Sequence, residues 1–197
     1  LKHWDYIIGA ARPFYAKKVL ITGTESCGKT TLTKKLAKTY YSSWSEELGR
    51  YYSRDYLGGD DSAFTLEDFD RIGYLQYEQD MKALSSANRV CFFDTDAVVT
   101  EFYCEIFMGG KKSPRTEAFV DPSRYDLIIF MEPTVKWVDD GTRFLGEQAE
   151  RERLAKVLWD KYESYGFDMS KFVRVSSSDY FERFNNCIDA VEKLLRS

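Results

Sequence analysis

The chain has 197 residues, 44% of them hydrophobic and 30% charged, which is enough for one well-filled core and too few for two ordinary enzyme domains. A formal charge of -4 at pH 7 argues against the basic stripe of extended nucleic-acid binding, and the single histidine, His3, removes most Ser-His-Asp and Cys-His catalysis and nearly all histidine-ligated metal sites. No apolar run approaches the ~18 residues of a membrane span, and Lys2, Asp5 and Arg12 interrupt any signal-peptide centre, so the expected location is the cytoplasm. Cys27, Cys91, Cys104 and Cys187 form no C-x-x-C pair and read as reduced thiols. Aromatic residues make up 16%; most must be core, with a few rings left for a binding surface. Residues 1–16 read as the end of a linker and residues 17–197 as one domain, and Leu1 in place of Met reads as the start of a fragment or processed product.

In chain order, Lys18-Val19-Leu20-Ile21-Thr22 reads as a buried strand ending at Gly23, and Leu32, Leu36, Ala37 and Tyr40 recur at helical spacing after it. Ser43 to Glu46 is a weak second strand, and Gly58-Gly59-Asp60-Asp61 is loop. Thr65 with Asp68 forms a capping box that opens a helix with Leu66, Phe69, Ile72 and Leu75 on one face. Arg89 to Phe93 is the next strand; its helix carries Val99, Phe102, Tyr103 and Ile106 and stops at Gly109-Gly110. Asp126 to Phe130 is a strand, followed by a polar stretch to about Arg153 and a helix with Leu154, Val157 and Leu158 inward. Phe172 to Val175 is the last strand, and Phe181, Phe184, Ile188, Val191 and Leu195 mark a terminal helix. Alternating strands and helices imply a parallel sheet covered on both faces.

Gly23-Thr24-Glu25-Ser26-Cys27-Gly28-Lys29-Thr30 fits the phosphate-loop pattern G-x-x-x-x-G-K-[ST] at every fixed position, between an expected strand and an expected helix. Such a loop cradles phosphate with backbone N–H groups and the positive end of the following helix, here including Thr31. Lys29 is expected at the β- and γ-phosphates of ATP, and the Thr30 hydroxyl at Mg²⁺. Cys27 reads as a small residue that fits the loop. A carboxylate at the end of a neighbouring strand must hold the metal's hydration shell, and Asp94 is the candidate, with helix capping as the plainer alternative. Asp96 reads equally as a second carboxylate in the crevice and as a helix cap. Glu47 and Arg50 follow the second strand on the acceptor side, where a carboxylate can accept a substrate proton; taken alone they read as solvated charges. Arg143, Arg151 and Arg153 lie where a lid of guanidinium groups closes over a transferring phosphoryl group, while Glu147, Glu150 and Glu152 among them leave open an ordinary solvated helix face.

The phosphate loop, Glu47-Leu48-Gly49-Arg50-Tyr51, Phe92-Phe93-Asp94-Thr95-Asp96 and Trp137-Val138-Asp139-Asp140-Gly141-Thr142-Arg143, in this order and spacing, resemble the ribosylnicotinamide kinase domain of NadR-type proteins over nearly the whole chain. Trp4-Asp5-Tyr6 and Arg12-Pro13-Phe14-Tyr15 resemble the segment that joins this kinase to an upstream adenylyltransferase domain. The loop alone marks a large superfamily; the Asp-Thr-Asp and Trp-Val-x-Asp-Gly-x-Arg elements narrow it. Cys27 stands where the family commonly has Ser, and Glu47-Leu48-Gly49-Arg50 where it has Glu-Tyr-Ala-Arg, so the acceptor wall differs without losing a charged group.

The resemblance implies an α/β P-loop nucleoside-kinase-like fold, with a parallel sheet of about five strands in the order 2-3-1-4-5, helices on both faces and a lid. It implies ATP- and Mg²⁺-dependent phosphorylation of the 5′-hydroxyl of nicotinamide riboside. That substrate carries a cationic pyridinium, which a desolvated ring face attracts by ~2 kcal/mol at most. Trp137 is the first ring expected against it; Tyr103 is either a second or a core aromatic. Asp96, Glu47 and Asp140 are expected at the ribose hydroxyls with Arg50 beside them, and Glu47 or Asp96 as the base. The rival readings are a kinase for another nucleoside or nucleotide and a non-catalytic sensor of ATP or NAD.

Overall fold

The computed structural model describes residues 3–135 and 148–196. Among them, β1 (Lys17–Thr22), β2 (Trp44–Ser45), β3 (Val90–Phe93), β4 (Leu127–Met131) and β5 (Phe172–Val175) form one parallel sheet in the order β2-β3-β1-β4-β5. The order is the one the family resemblance implies, and the apolar runs mark where its strands lie. Every residue of β3 and β4 is buried, as strands covered by helices on both faces must be. Because successive side chains point to opposite faces, the sheet feeds two cores. Leu20, Phe93, Ile128 and Phe130 enter one with Leu154 and Leu158; Val19, Ile21, Phe92 and Ile129 enter the other with Leu32, Leu36 and Val191.

The helices are α1 (Arg12–Tyr15), α2 (Lys29–Thr39), α3 (Leu48–Tyr56), α4 (Leu66–Ser85), α5 (Ala97–Phe107), α6 (Pro114–Glu117), α7 (Gln148–Ser164) and α8 (Tyr180–Arg196). The expected capping box opens α4: the Asp68 carboxylate accepts from Thr65 N–H at 2.9 Å while Thr65 Oγ1 accepts from Asp68 N–H at 3.3 Å. The register of β1 with β3 pairs Leu20 with Phe93, so the loop after β1 and Asp94 after β3 meet at the carboxyl end of the sheet. That end is where open α/β sheets bind ligands.

Several expectations shift. The second strand is only Trp44–Ser45, and α3, which the sequence reading did not mark, follows it directly. Helix α7 begins at Gln148, inside the stretch expected to be polar loop. Leu75, Ile106, Val157 and Phe181 are exposed rather than inward. On α4 the buried stripe continues from Ile72 through Gln76 and Asp80 to Ala83, which leaves Leu75 on the outer side. On α7 it runs through Arg151, Leu154, Ala155 and Leu158, past Val157. Phe181 contributes to a ring cluster under the Lys35 ammonium, 5.5 Å from its centroid.

The segment ahead of β1 folds into two 3-10 turns and α1, and it buries Trp4 in the core beside Ala16. Arg12 lies over the Trp4 ring at 5.6 Å and donates to Ile7 O at 3.1 Å. The four cysteines are buried free thiols. None of the described helices is long and apolar enough to cross a membrane.

Candidate active site

The phosphate loop is shaped by steric exclusion. Gly23 has φ +138°, and a Cβ there would lie 2.5 Å from Met131 O, so only glycine lets the loop pass the end of β4. Gly28 at φ +85° turns the chain into α2, and Ser26 holds φ +60°, a left-handed conformation costly for a residue with a side chain. Lys29, buried at the first turn of α2, folds back to donate from Nζ to Thr24 O at 2.9 Å. Thr30 and Thr31 follow it in the same turn.

Two fully buried arginines hold the loop from behind. Arg183 Nη2 donates to Cys27 O at 2.8 Å, and its Nη1 donates to Ser177 O at 2.8 Å and Thr134 Oγ1 at 2.9 Å. Arg151 Nη2 donates to Ser26 O at 3.3 Å and Nη1 to Val135 O at 3.1 Å. In a trans peptide the N–H points opposite to the C=O. Drawing the carbonyls of Ser26 and Cys27 backward therefore aims the N–H groups of Cys27 and Gly28 toward the concave side, where an anion would sit. Thr24 Oγ1 and Ser26 Oγ are buried there without a hydrogen-bond partner. Cys27 is committed to the loop, its thiol donating to Thr24 O at 2.9 Å.

Asp94 is fully buried at the end of β3; its Oδ1 lies 3.5 Å from Thr33 Oγ1 and its Oδ2 has no hydrogen-bond partner. Burial and then the charge of Glu47 push its pKa up to about 7, against the pull of Lys29 and of the nearby Thr30 hydroxyl. Burial acts to lower the Lys29 pKa, but the fields of Cys27, Glu47 and Asp94 outweigh it and raise the value, so Lys29 stays a cation. A destabilised carboxylate with an unused buried oxygen, next to a threonine hydroxyl, is a donor set suited to a hard cation that keeps other ligands from phosphate and water. No cluster of three His, Cys, Asp or Glu occurs among the described residues, so these side chains form no all-protein cage.

Asp96 takes a different role. It caps α5, with Oδ1 accepting from Val99 N–H at 3.1 Å and from the Tyr162 hydroxyl at 2.8 Å. Tyr162 also bonds Thr22 Oγ1 at 2.8 Å, which ties the cap to the end of β1. Burial pushes the Asp96 pKa up to about 6.

In front of the loop opens a cleft of about 350 Å³. Its polar lining includes Glu25, Glu47, Arg50, Gln76 and Thr95, and its floor is apolar, with Phe64, Phe69, Ile72 and Phe107. Phe64 and Phe69 lie 5.0 Å apart, centroid to centroid, and Phe64 and Phe107 5.7 Å apart. Glu47 stands at the head of α3 but makes no side-chain capping bond, unlike Asp96. Tyr103 stacks on Phe107 at 6.2 Å, and its hydroxyl is buried. Burial and the charges of Glu47 and Glu25 hold the Tyr103 pKa well above its ordinary value.

The structure thus gathers Lys29, Thr30, Asp94, Glu25, Glu47, Arg50 and Tyr103 around one crevice. It leaves Arg153 on the surface, paired with Glu150 at 2.7 Å, and puts Arg151 behind the loop. Trp137, Asp140 and Arg143 lie outside the described residues. Sequence reasoning missed Arg183, Tyr162 and Gln76. Gln76 carried a signal, a polar side chain four residues after Ile72 on the buried face of α4; the other two gave none.

The AAA domain family model matches residues 18–183. Over 98% of its length the chain is 37% identical to the trifunctional NAD biosynthesis/regulator protein NadR of Escherichia coli (strain K12), and it spans 46% of that protein. A crystal structure of a NadR protein in complex with NR superposes with a TM-score of 0.85 at 29% identity, covering 100% of this chain and 56% of that one. A second, of a NadR protein in complex with NAD and AMP-PNP, gives 0.81 at 27% identity, with 100% and 54% covered.

Proposed function

The chain belongs to the AAA domain family and is homologous to NadR proteins over nearly its whole length, and from that premise we propose that it is an ATP-dependent nicotinamide riboside kinase. The observation that carries the reading is the junction of two half-sites: the Glu47 carboxylate lines the cleft within electrostatic reach of Lys29 and Asp94 on the loop side and of Tyr103 on the cleft side. A cleft floored with aromatic rings and ringed by carboxylates suits a flat cationic ring on a sugar. The solved NadR structures with NR and with AMP-PNP support the pairing of such an acceptor with an ATP-like donor.

In this reading the riboside 5′-oxygen attacks the γ-phosphorus of ATP as the bond to the β-phosphate oxygen breaks, and Glu47 accepts the hydroxyl proton. Asp96 is the weaker base, because its carboxylate already caps α5 and bonds Tyr162. Lys29 and the Cys27 and Gly28 N–H groups hold the transferring phosphate. Thr30 and Asp94 would hold Mg²⁺, which supplies charge neutralisation for the nucleotide phosphates. Trp137 at the pyridinium, Asp140 at the ribose and Arg143 at the phosphoryl group complete the proposed site. Residues 17–197 form the kinase domain, joined through residues 1–16 to an upstream adenylyltransferase domain, and the activity is cytoplasmic.

Purified protein given ATP, Mg²⁺ and nicotinamide riboside should form nicotinamide mononucleotide and ADP in equal amounts, read by mass spectrometry. Phosphorylation of a different acceptor only would end the substrate assignment and leave the kinase; ATP binding with no transfer to any riboside would favour a sensor.

A further inference from the structure

Gln76 sits 4% exposed on α4, at the edge of the cleft. Its side chain bonds the backbone on both sides of Glu47: Oε1 accepts from Leu48 N–H at 3.0 Å, and Nε2 donates to Glu46 O at 3.0 Å. The amide is oriented by Asp80, whose Oδ1 accepts from Gln76 Nε2 at 2.9 Å and from Ser45 Oγ at 2.5 Å. Asp80 is in turn bound by Arg124 Nη2 at 2.9 Å, and the Arg124 guanidinium lies over the Phe93 ring at 5.3 Å. Gln79 also donates to Glu46 O, at 2.6 Å, and Ser45 Oγ links the turn to Asp80 as well, so the acceptor for Leu48 N–H is what Gln76 supplies to the turn.

We infer that Gln76 is the positioning residue for Glu47: it clamps the turn ahead of α3, braced by Asp80 and Arg124, and so fixes the direction in which the Glu47 carboxylate enters the cleft. A buried polar group on this helix face is retained because both ends of its amide are bonded, to the backbone on either side of Glu47 and to Asp80. The inference rests on the kinase reading above for its catalytic consequence. A shift of about 1 Å in a reacting group costs on the order of 10²-fold in rate.

The test is a double-mutant cycle of Gln76→Met, which keeps length and volume, with Glu47→Gln. Gln76→Met should lower kcat by roughly 10- to 100-fold with KM for ATP unchanged. In the Glu47→Gln background the same change should alter kcat by less than about twofold. Gln76→Asn, which keeps an amide but draws it back by one methylene from both backbone partners, should lower kcat in the same direction, with the loss again vanishing in the Glu47→Gln background, and serves if the Met variant folds poorly. Equal losses in both backgrounds, or no loss, would overturn the inference. Hydrogen exchange at the Leu48 amide gives a readout without turnover: it should quicken in Gln76→Met, and unchanged exchange would also overturn it. Quickened exchange in a protein whose wild type phosphorylates no riboside would uphold the clamp and overturn the kinase reading alone.

Discussion

The two walls of the crevice are built by different rules. The phosphate wall is one contiguous loop whose shape comes from backbone: two glycines, a left-handed Ser26, and buried arginines that hold its carbonyls from behind. The acceptor wall is assembled from Glu25, the turn at Glu47, the Phe64 loop, α4 and α5, and its direction is set by side chains bonding to side chains. Backbone chemistry tolerates little variation in sequence, so the first wall serves any nucleotide. The second can be recast by a few substitutions, and in the proposed reaction it is where acceptor specificity would reside.

The contrast predicts separable effects. Lys29→Ala should lower kcat by on the order of 10³-fold while the riboside still binds the cleft with near wild-type Kd by calorimetry, because the lysine touches the donor wall. Arg183→Met should cost about 2 kcal/mol of stability, seen as a lower Tm, and weaken ATP binding without changing KM for the riboside, since the carbonyls of Cys27 and Ser177 lose their donor. An equal rise in KM for both substrates would break the distinction between the walls. Tyr103→Phe, which removes a buried hydroxyl from the cleft wall, should raise KM for the riboside by roughly two- to tenfold with KM for ATP unchanged.

The same contrast explains what was legible in the sequence. The phosphate loop, the strand before it and Asp94 were readable because spacing along the chain carries their chemistry, and the sheet order followed from the family resemblance. Helix α3 was missed although it is amphipathic: Leu48–Tyr56 is short and polar on average, and its buried residues are Tyr52 and Ser53 rather than aliphatic side chains. Asp96 illustrates the limit at a single residue: cap and catalytic carboxylate have the same sequence signature, and the bonds to Val99 and Tyr162 are what reveal the cap. Arg183 and Arg151 look like solvated helix charges in sequence, yet each is 1% exposed, because loops distant in the chain supply their acceptors. Long-range satisfaction of a buried charge leaves no local pattern.

The central claim is that Glu47 faces the acceptor hydroxyl across from the phosphate loop. A crystal structure with nicotinamide riboside and a non-hydrolysable ATP analogue tests it most directly. The account predicts the riboside ring against the aromatic floor and the 5′-oxygen within about 3.2 Å of a Glu47 carboxylate oxygen. A 5′-oxygen bound to Asp96, or a riboside seated away from the cleft, would contradict it.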